Sequence, residues 1–243
     1  MLQVARSLLF YLGLVIVTVL WGSFATITGK FLPRPRRFNY VIVTWTGFVL
    51  WWLRLTCGIT HEIEGIENLN KGPGVLLVKH QSTWDALFSQ TLVSPQATVI
   101  KRTLLYIPFF GWAFWVTNPI AINRTRRVGS IRRMIRMGKE RFGAGFWITL
   151  FPEGTRVETG QVGRFQSGAA MLAIALGAPV FVVAHNGGHC WQLNRWLKKP
   201  GTIQVRISPP IATKGKTTQQ VSAEAEEWMR EAMAEIDPET YKD

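Results

Sequence analysis

The chain has 243 residues, of which 47% are hydrophobic and 18% charged, and 28 lysines and arginines against 15 aspartates and glutamates leave a net charge of +13. That length suits one ordinary domain with a short additional segment, and so large an apolar share excludes an intrinsically disordered chain. Two cysteines exclude a disulfide framework, and a pI near 10.4 points to a polyanionic partner.

From Ser7 to Gly29 no residue is charged. A helix rising about 1.5 Å per residue over this run crosses a bilayer core of about 30 Å. The run is longer than the roughly 7 to 15 apolar residues of a cleaved signal peptide, so it reads as an uncleaved membrane anchor. A second uncharged run, Phe38 to Leu53, is closed by Arg37 and Arg54 and falls short of the roughly 20 residues a straight span needs. Lys30, Arg34, Arg36 and Arg37 lie between the two runs and put that linker on the cytoplasmic side. The second run is then re-entrant or interfacial, with Trp45, Trp51 and Trp52 among the headgroups; in the competing reading, supported by Arg6 and the basic domain, the linker lies on the far side and the two runs form an ordinary two-span hairpin with both ends cytoplasmic. Both arrangements make residues 1–58 a membrane-embedded two-helix segment and leave residues 59–243 as an α/β domain facing the cytoplasm.

Gly74-Val75-Leu76-Leu77-Val78 is a short apolar run that reads as a buried strand, and Trp84-Asp85-Ala86-Leu87-Phe88 begins a helical pattern. Between them lies Lys79-His80-Gln81-Ser82-Thr83. In one regular helix His80 and Asp85 would be about 140° apart, so they meet only across a bend. With His80 at the strand end and Ser82 or Thr83 capping the helix, Asp85 falls in the first turn and can fold back onto the imidazole. An imidazole held by a carboxylate suits a general base acting on a hydroxyl. The competing reading makes Ser82-x-x-Asp85 a capping box and His80 a buried strand-end histidine.

Thr98-Val99-Ile100 is a third strand-like run, and it delivers Lys101 and Arg102 to its carboxyl end. Arg124, Arg126, Arg127, Arg132, Arg133 and Arg136 crowd the stretch beyond. They suit anionic lipid headgroups, with Ile107 to Val116 dipping into the interface. Nucleic acid binds the same residue types, but the membrane segment and the crevice motifs argue against it.

Phe146 to Phe151 reads as another buried strand, stopped by Pro152 and Gly154 in a turn. Ligands in open α/β sheets bind at the carboxyl ends of strands, so Glu153 and Arg156 are expected in the same crevice as His80. Arg156 can grip phosphate oxygens in a fork, with Glu153 orienting it or accepting a hydrogen bond from substrate. In the alternative, Glu153 and Arg156 simply pair on a surface turn. Pro179 to Val183 reads as a core strand leading to His185 and Asn186. His189 and Cys190 follow, but a zinc site lacks an obvious fourth ligand. Thr202 to Ile207 reads as a closing strand, and Thr218 to Glu235 as an acidic helix on the surface.

His80-x4-Asp85 followed by Phe151-Pro152-Glu153-Gly154-Thr155-Arg156 resembles the glycerolipid acyltransferase family, in particular its members that acylate 1-acylglycerol 3-phosphate. The match extends over nearly all of the chain after about residue 60. It includes Lys101-Arg102-x2-Leu105-x2-Pro108-x2-Gly111, closing with Ile122-Asn123-Arg124, and Ala178 to Asn186. The resemblance implies a mixed sheet flanked by helices, with His80 as general base and Asp85 as its partner. It also implies that Lys101, Arg124, Glu153, Gly154, Thr155 and Arg156 belong to the substrate phosphate site. Gln166 departs from the pattern, since many relatives carry a lysine there. The implied reaction moves a fatty acyl group from a thioester, acyl-CoA or acyl carrier protein, to the 2-hydroxyl of lysophosphatidic acid. It gives phosphatidic acid and calls for no metal or redox cofactor. Its rivals are acylation of another lysolipid, such as a lyso-ornithine lipid, and a non-catalytic role in binding membrane lipid.

Overall fold

The computed structural model describes residues 1–123 and 127–241. It opens with a helix, α1 (Leu2–Thr28). After a short turn at Gly29–Phe31, a second helix of 24 residues runs from Arg34 to Cys57. That helix comprises α2 (Arg34–Phe38), a π-helical stretch (Asn39–Val43) and α3 (Thr44–Cys57). It is longer than the uncharged run within it, because Arg34, Arg36, Arg37 and Arg54 are all helical. Arginine is a good helix former, so charge marks the edges of an apolar stretch and not the ends of a helix. Both helices are long and apolar enough to cross a bilayer core.

α1 turns Leu8, Leu12, Val15, Ile16, Leu20 and Phe24 outward, while Phe10 and Ala25 are fully buried. Phe10 does not pack only within the hairpin. It joins Trp45, Val49 and Leu53 in a core shared with Trp84, Phe181 and Ile203 of the following domain. Gly58 ends the second helix at φ 67°, a left-handed turn that glycine takes at little cost, and the chain enters the sheet directly.

The strands are β1 (Ile59–Glu64), β2 (Val75–Val78), β3 (Gln96–Lys101), β4 (Ile120–Ile122), β5 (Trp147–Leu150), β6 (Val180–His185) and β7 (Gly201–Ile207). They form one sheet in the order β1-β7-β6-β2-β5-β3-β4. β6, β2, β5, β3 and β4 run parallel, β7 lies antiparallel to β6, and β1 runs parallel to β7. β2 is central, with Leu76 paired to Phe181 on one side and Thr149 on the other. Its four residues are all buried because helices cover both faces of the sheet, which is why the sequence there shows no alternation.

Val75 and Leu77 point to the face covered by α6 (Arg127–Gly143), α7 (Ser167–Leu176) and α8 (Thr218–Ile236). Leu76 and Val78 point to the face covered by α3, α4 (Trp84–Leu92) and α1. α8 does not merely lie on the surface: Val221, Ala225, Met229, Ala232 and Met233 form a buried stripe, and the acidic residues occupy the other side. The carboxyl ends of β6, β2, β5 and β3 therefore share one edge of the sheet, and the loops leaving them meet there.

Beyond β3 a short 3-10 turn (Arg102–Tyr106) folds back onto α5 (Phe110–Val116). The approach requires Gly111, where a Cβ would lie 2.6 Å from the carbonyl oxygens of both Leu104 and Leu105. These are backbone atoms of a turn tied to Gly111 by its own N–H bond to Ile107, so they cannot step aside. Gly111→Ala is expected to lower stability by about 1 to 3 kcal/mol. Thermal melting in detergent checks this, and a variant melting with the wild type would show that the turn can give way.

Candidate active site

His80 leaves the carboxyl end of β2, and α4 begins at Trp84. The intervening loop is shaped by Asp85, which is fully buried in the first turn of α4. Its Oδ2 accepts hydrogen bonds from the backbone N–H groups of Gln81 (2.9 Å) and Ser82 (2.7 Å), and its Oδ1 lies 3.0 Å from His80 Nδ1. Local loop capping and orientation of the histidine, alternatives in the sequence, are thus two halves of one carboxylate. Burial alone would raise the Asp85 pKa, but His80, His185 and the Ser82 N–H favour the charged form more strongly and hold it below the usual carboxylate value. An ionised carboxylate only accepts, so His80 Nδ1 is the donor and Nε2 is the nitrogen able to take a proton. Phe151 stacks on the imidazole at 4.0 Å between ring centroids and fixes its plane.

Glu153 is placed differently from the expectation that it would meet substrate or pair with Arg156. It is buried; Oε1 accepts from Lys79 Nζ at 2.7 Å and from the Gly163 N–H at 2.9 Å, and Oε2 accepts from the His80 N–H at 2.8 Å. Lys79 is wholly buried, and burial lowers its pKa against the opposing pull of Glu153. The His80 carbonyl accepts from the Val157 N–H at 2.8 Å. Both backbone polar groups of His80 are therefore held by the loop that follows β5.

A cavity of about 950 Å³ opens beside this loop. His80, Phe151, Lys101 and Arg156 line it from the sheet edge, and Tyr11, Leu14 and Trp45 line it from the two N-terminal helices. The Arg156 Nε is buried and has no hydrogen-bond partner. A guanidinium donor left unpaired in a cavity that also holds an exposed lysine is suited to an anion. Of the Glu153 to Arg156 run only Arg156 reaches this cavity. Glu153, Gly154 and Thr155 border a second hollow of about 450 Å³ on the other side of the turn. Gly154 holds the turn at φ 73°. Arg124 and Arg126 lie outside the described residues.

His185 ends β6 beside β2. Its Nε2 donates to the Lys79 carbonyl (2.9 Å) and its Nδ1 accepts from the Gly187 N–H (3.1 Å), an arrangement that requires the neutral ring. Asn186 accepts from the Gln204 N–H, and His189 pairs with Asp237 at 2.6 Å. Among the described residues no group of three His, Cys, Asp or Glu side chains has the geometry to hold a metal ion. The backbone N–H groups of Gln81, Ser82 and Trp84 all have internal acceptors, so none of these three is open to a developing oxyanion. Sequence reasoning missed the Lys79–Glu153 pair, whose only signal was a lysine directly after an apolar run of strand residues.

Residues 60–186 match the family described as Acyltransferase. A relative from Pseudomonas aeruginosa named 1-acyl-sn-glycerol-3-phosphate acyltransferase is 40% identical over 239 residues, covering 97% of this chain and 93% of its own. A relative of the same name from Escherichia coli K12 is 29% identical over 95% of this chain and 96% of its own. The crystal structure of the 1-acyl-sn-glycerophosphate (LPA) acyltransferase from Thermotoga maritima superposes with a TM-score of 0.79 at 25% identity, covering 96% of this chain and 95% of that one.

Complete burial, opposed only partly by Asp85, lowers the pKa of His185 from the ordinary 6.5 to about 4. Between these values the unfolded chain binds a proton that the folded chain does not, so stability rises with pH across the window and falls on acidification. Acidifying from pH 6.5 to 4 is expected to cost up to about 3 kcal/mol from this residue. The contribution of Asp85, whose folded value is depressed, is lost only below that window. Melting curves of wild type and His185→Gln across pH 4 to 7 check this; parallel curves would remove His185 as the source.

Proposed function

The chain belongs to the acyltransferase family, and we propose that it transfers a fatty acyl group from an acyl thioester to the sn-2 hydroxyl of 1-acylglycerol 3-phosphate, forming phosphatidic acid. The observation that carries this reading is the shared cavity. An imidazole backed by a buried carboxylate and a guanidinium with an unpaired buried Nε open into the same space as Lys101.

His80 Nε2 takes the proton of the acceptor hydroxyl as its oxygen attacks the thioester carbonyl. Asp85 stabilises the imidazolium that forms, and the collapse of the tetrahedral intermediate returns the proton to the leaving thiolate. A positioned base of this kind contributes about 10² to 10⁴ in rate. Lys101 and Arg156 bind the phosphate, one as a point charge and the other as a fork. Arg124 is assigned to the same pocket on its motif alone. Glu153 acts on this site through Lys79 and the His80 backbone, and Gly154 and Thr155 shape the turn that carries Arg156.

The N-terminal helices associate the enzyme with the membrane in which its lipid substrate resides, with the sheet on the cytoplasmic side. Their apolar faces line the cavity with Leu14, Val15 and Ile42, a surface suited to acyl chains. Arg132, Arg133 and Arg136 are exposed on α6 and suit either anionic headgroups or the phosphates of a coenzyme A or carrier-protein donor.

Detergent-solubilised protein supplied with an acyl thioester is expected to acylate 1-acylglycerol 3-phosphate but not its dephosphorylated form. His80→Ala should lose at least about 10²-fold in kcat. Arg156→Ala should raise KM for the phosphorylated acceptor by about 10-fold or more, with the KM for donor unchanged. Turnover of a lysolipid lacking the phosphate, or equal effects of Arg156→Ala on both substrates, would contradict the assignment.

A further inference from the structure

We infer that the segment following α8, residues 237–241, is a positioning element of the active site, and that Tyr241 is the residue through which it acts. The inference rests on the reaction proposed above and adds a group that does not touch substrate.

Tyr241 is buried and its hydroxyl donates to Gln81 Oε1 at 2.7 Å. Burial raises the pKa of the phenol to about 12, so it remains a donor at any working pH. Gln81 is fully buried between His80 and Ser82. Its side-chain Nε2 donates to the carbonyl of His185, and its backbone N–H donates to Asp85 Oδ2 at 2.9 Å. The phenol thus completes the hydrogen bonding of a side chain whose own backbone holds the carboxylate that orients His80. A buried amide oxygen stripped of its donor is costly, and the amide would turn to find another. Turning Gln81 moves the N–H that Asp85 accepts.

The segment is itself fixed at several points. The Tyr241 and Thr240 N–H groups both donate to the Asp237 carbonyl, and the Asp237 N–H donates to Met233 in α8. The Asp237 carboxylate meets His189 Nε2 at 2.6 Å, in the loop after β6. Gly160, at φ 93°, lies against Thr240: a Cβ there would stand 3.4 Å from its methyl group. Residues 237–241 therefore wedge between the loop after β5 and the loop after β6 and reach the loop after β2. They touch three of the four loops that meet at this edge, and the lining of the 950 Å³ cavity includes none of them.

The test compares wild type, Tyr241→Phe, Gln81→Met and the double variant by kinetics, melting and amide exchange. Tyr241→Phe keeps the ring in its packing site. It is expected to lower kcat about 10-fold, to leave both KM values within about twofold, and to shift melting by only a few degrees. In the Gln81→Met background it should have no further effect on kcat. Amide exchange at Gln81 and Ser82, the two N–H groups on Asp85, should quicken about 10-fold in Tyr241→Phe while exchange in α8 stays unchanged. Wild-type kcat with unaltered exchange at Gln81 and Ser82 would overturn the inference. So would an equal loss of kcat in the Gln81→Met background, which would trace the effect to packing. Exchange is read without any substrate, so a wild-type protein inactive toward 1-acylglycerol 3-phosphate would sink the proposed reaction while the positioning role is still decided.

Discussion

Two oxygen atoms of Glu153 hold together the edge of the sheet that carries His80 and Arg156. One accepts from buried Lys79 and the Gly163 N–H, the other from the His80 N–H. The strands these loops leave, β2 and β5, are hydrogen-bonded neighbours in the centre of the sheet, but strand pairing ends before the loops begin. Beyond that point the chain needs another means of registering His80 against the turn bearing Arg156. A carboxylate between a lysine and two backbone donors provides it, and the Val157 N–H closes the arrangement from the other side of His80. Removing one partner from such a buried pair typically costs about 3 to 5 kcal/mol, because the other charge is left uncompensated. The pair thus makes the relative position of His80 and the turn bearing Arg156 a condition of folding.

The remaining loops fit around that arrangement. Asp85 spends one oxygen on His80 and the other on two N–H groups of the loop, while His185 supports the Lys79 carbonyl from β6. The opposite wall of the cavity is the N-terminal hairpin, and it too is fastened. Lys198 is buried among Tyr11 and Trp191, with Nζ 4.0 and 4.1 Å from their ring centroids, and its backbone N–H donates to Ser7 Oγ. The cationic sheet edge and the apolar helices are thereby held as two sides of one space. A phosphorylated lipid has the matching division, with charge at one end and hydrocarbon at the other.

Much of this was legible in the sequence because the relevant signals were local. The apolar runs at Val75 to Val78, Trp147 to Leu150 and Val180 to Val183 are buried strands, and the bend between His80 and Asp85 follows from their spacing on a helix. β1 and β4 were not legible. β1 carries His61, Glu62 and Glu64 and is paired on one edge only, so little of it needs to be apolar, and β4 is three residues long. The second N-terminal helix was underestimated because its terminal arginines are helical. α8 looked like a surface helix because its acidic residues hide the stripe from Val221 to Met233. Glu153 was read as a site ligand because it adjoins Arg156 in sequence. Its true neighbours, Lys79 and the His80 backbone, follow the adjacent strand β2, more than 70 residues away in sequence, and no local pattern announces a contact made by tertiary packing. Tyr241 was missed for the same reason.

The most direct measurement of whether Glu153 joins the two motifs is a double-mutant cycle of Lys79→Met and Glu153→Gln, read as kcat, acceptor KM and melting temperature. Each single variant is expected to lose both stability and kcat with acceptor KM nearly unchanged. The double variant is expected to recover part of the stability, since neither charge is then buried alone. A Glu153→Gln variant that melts like wild type and keeps its kcat while acceptor KM rises would contradict it, and would return Glu153 to the substrate.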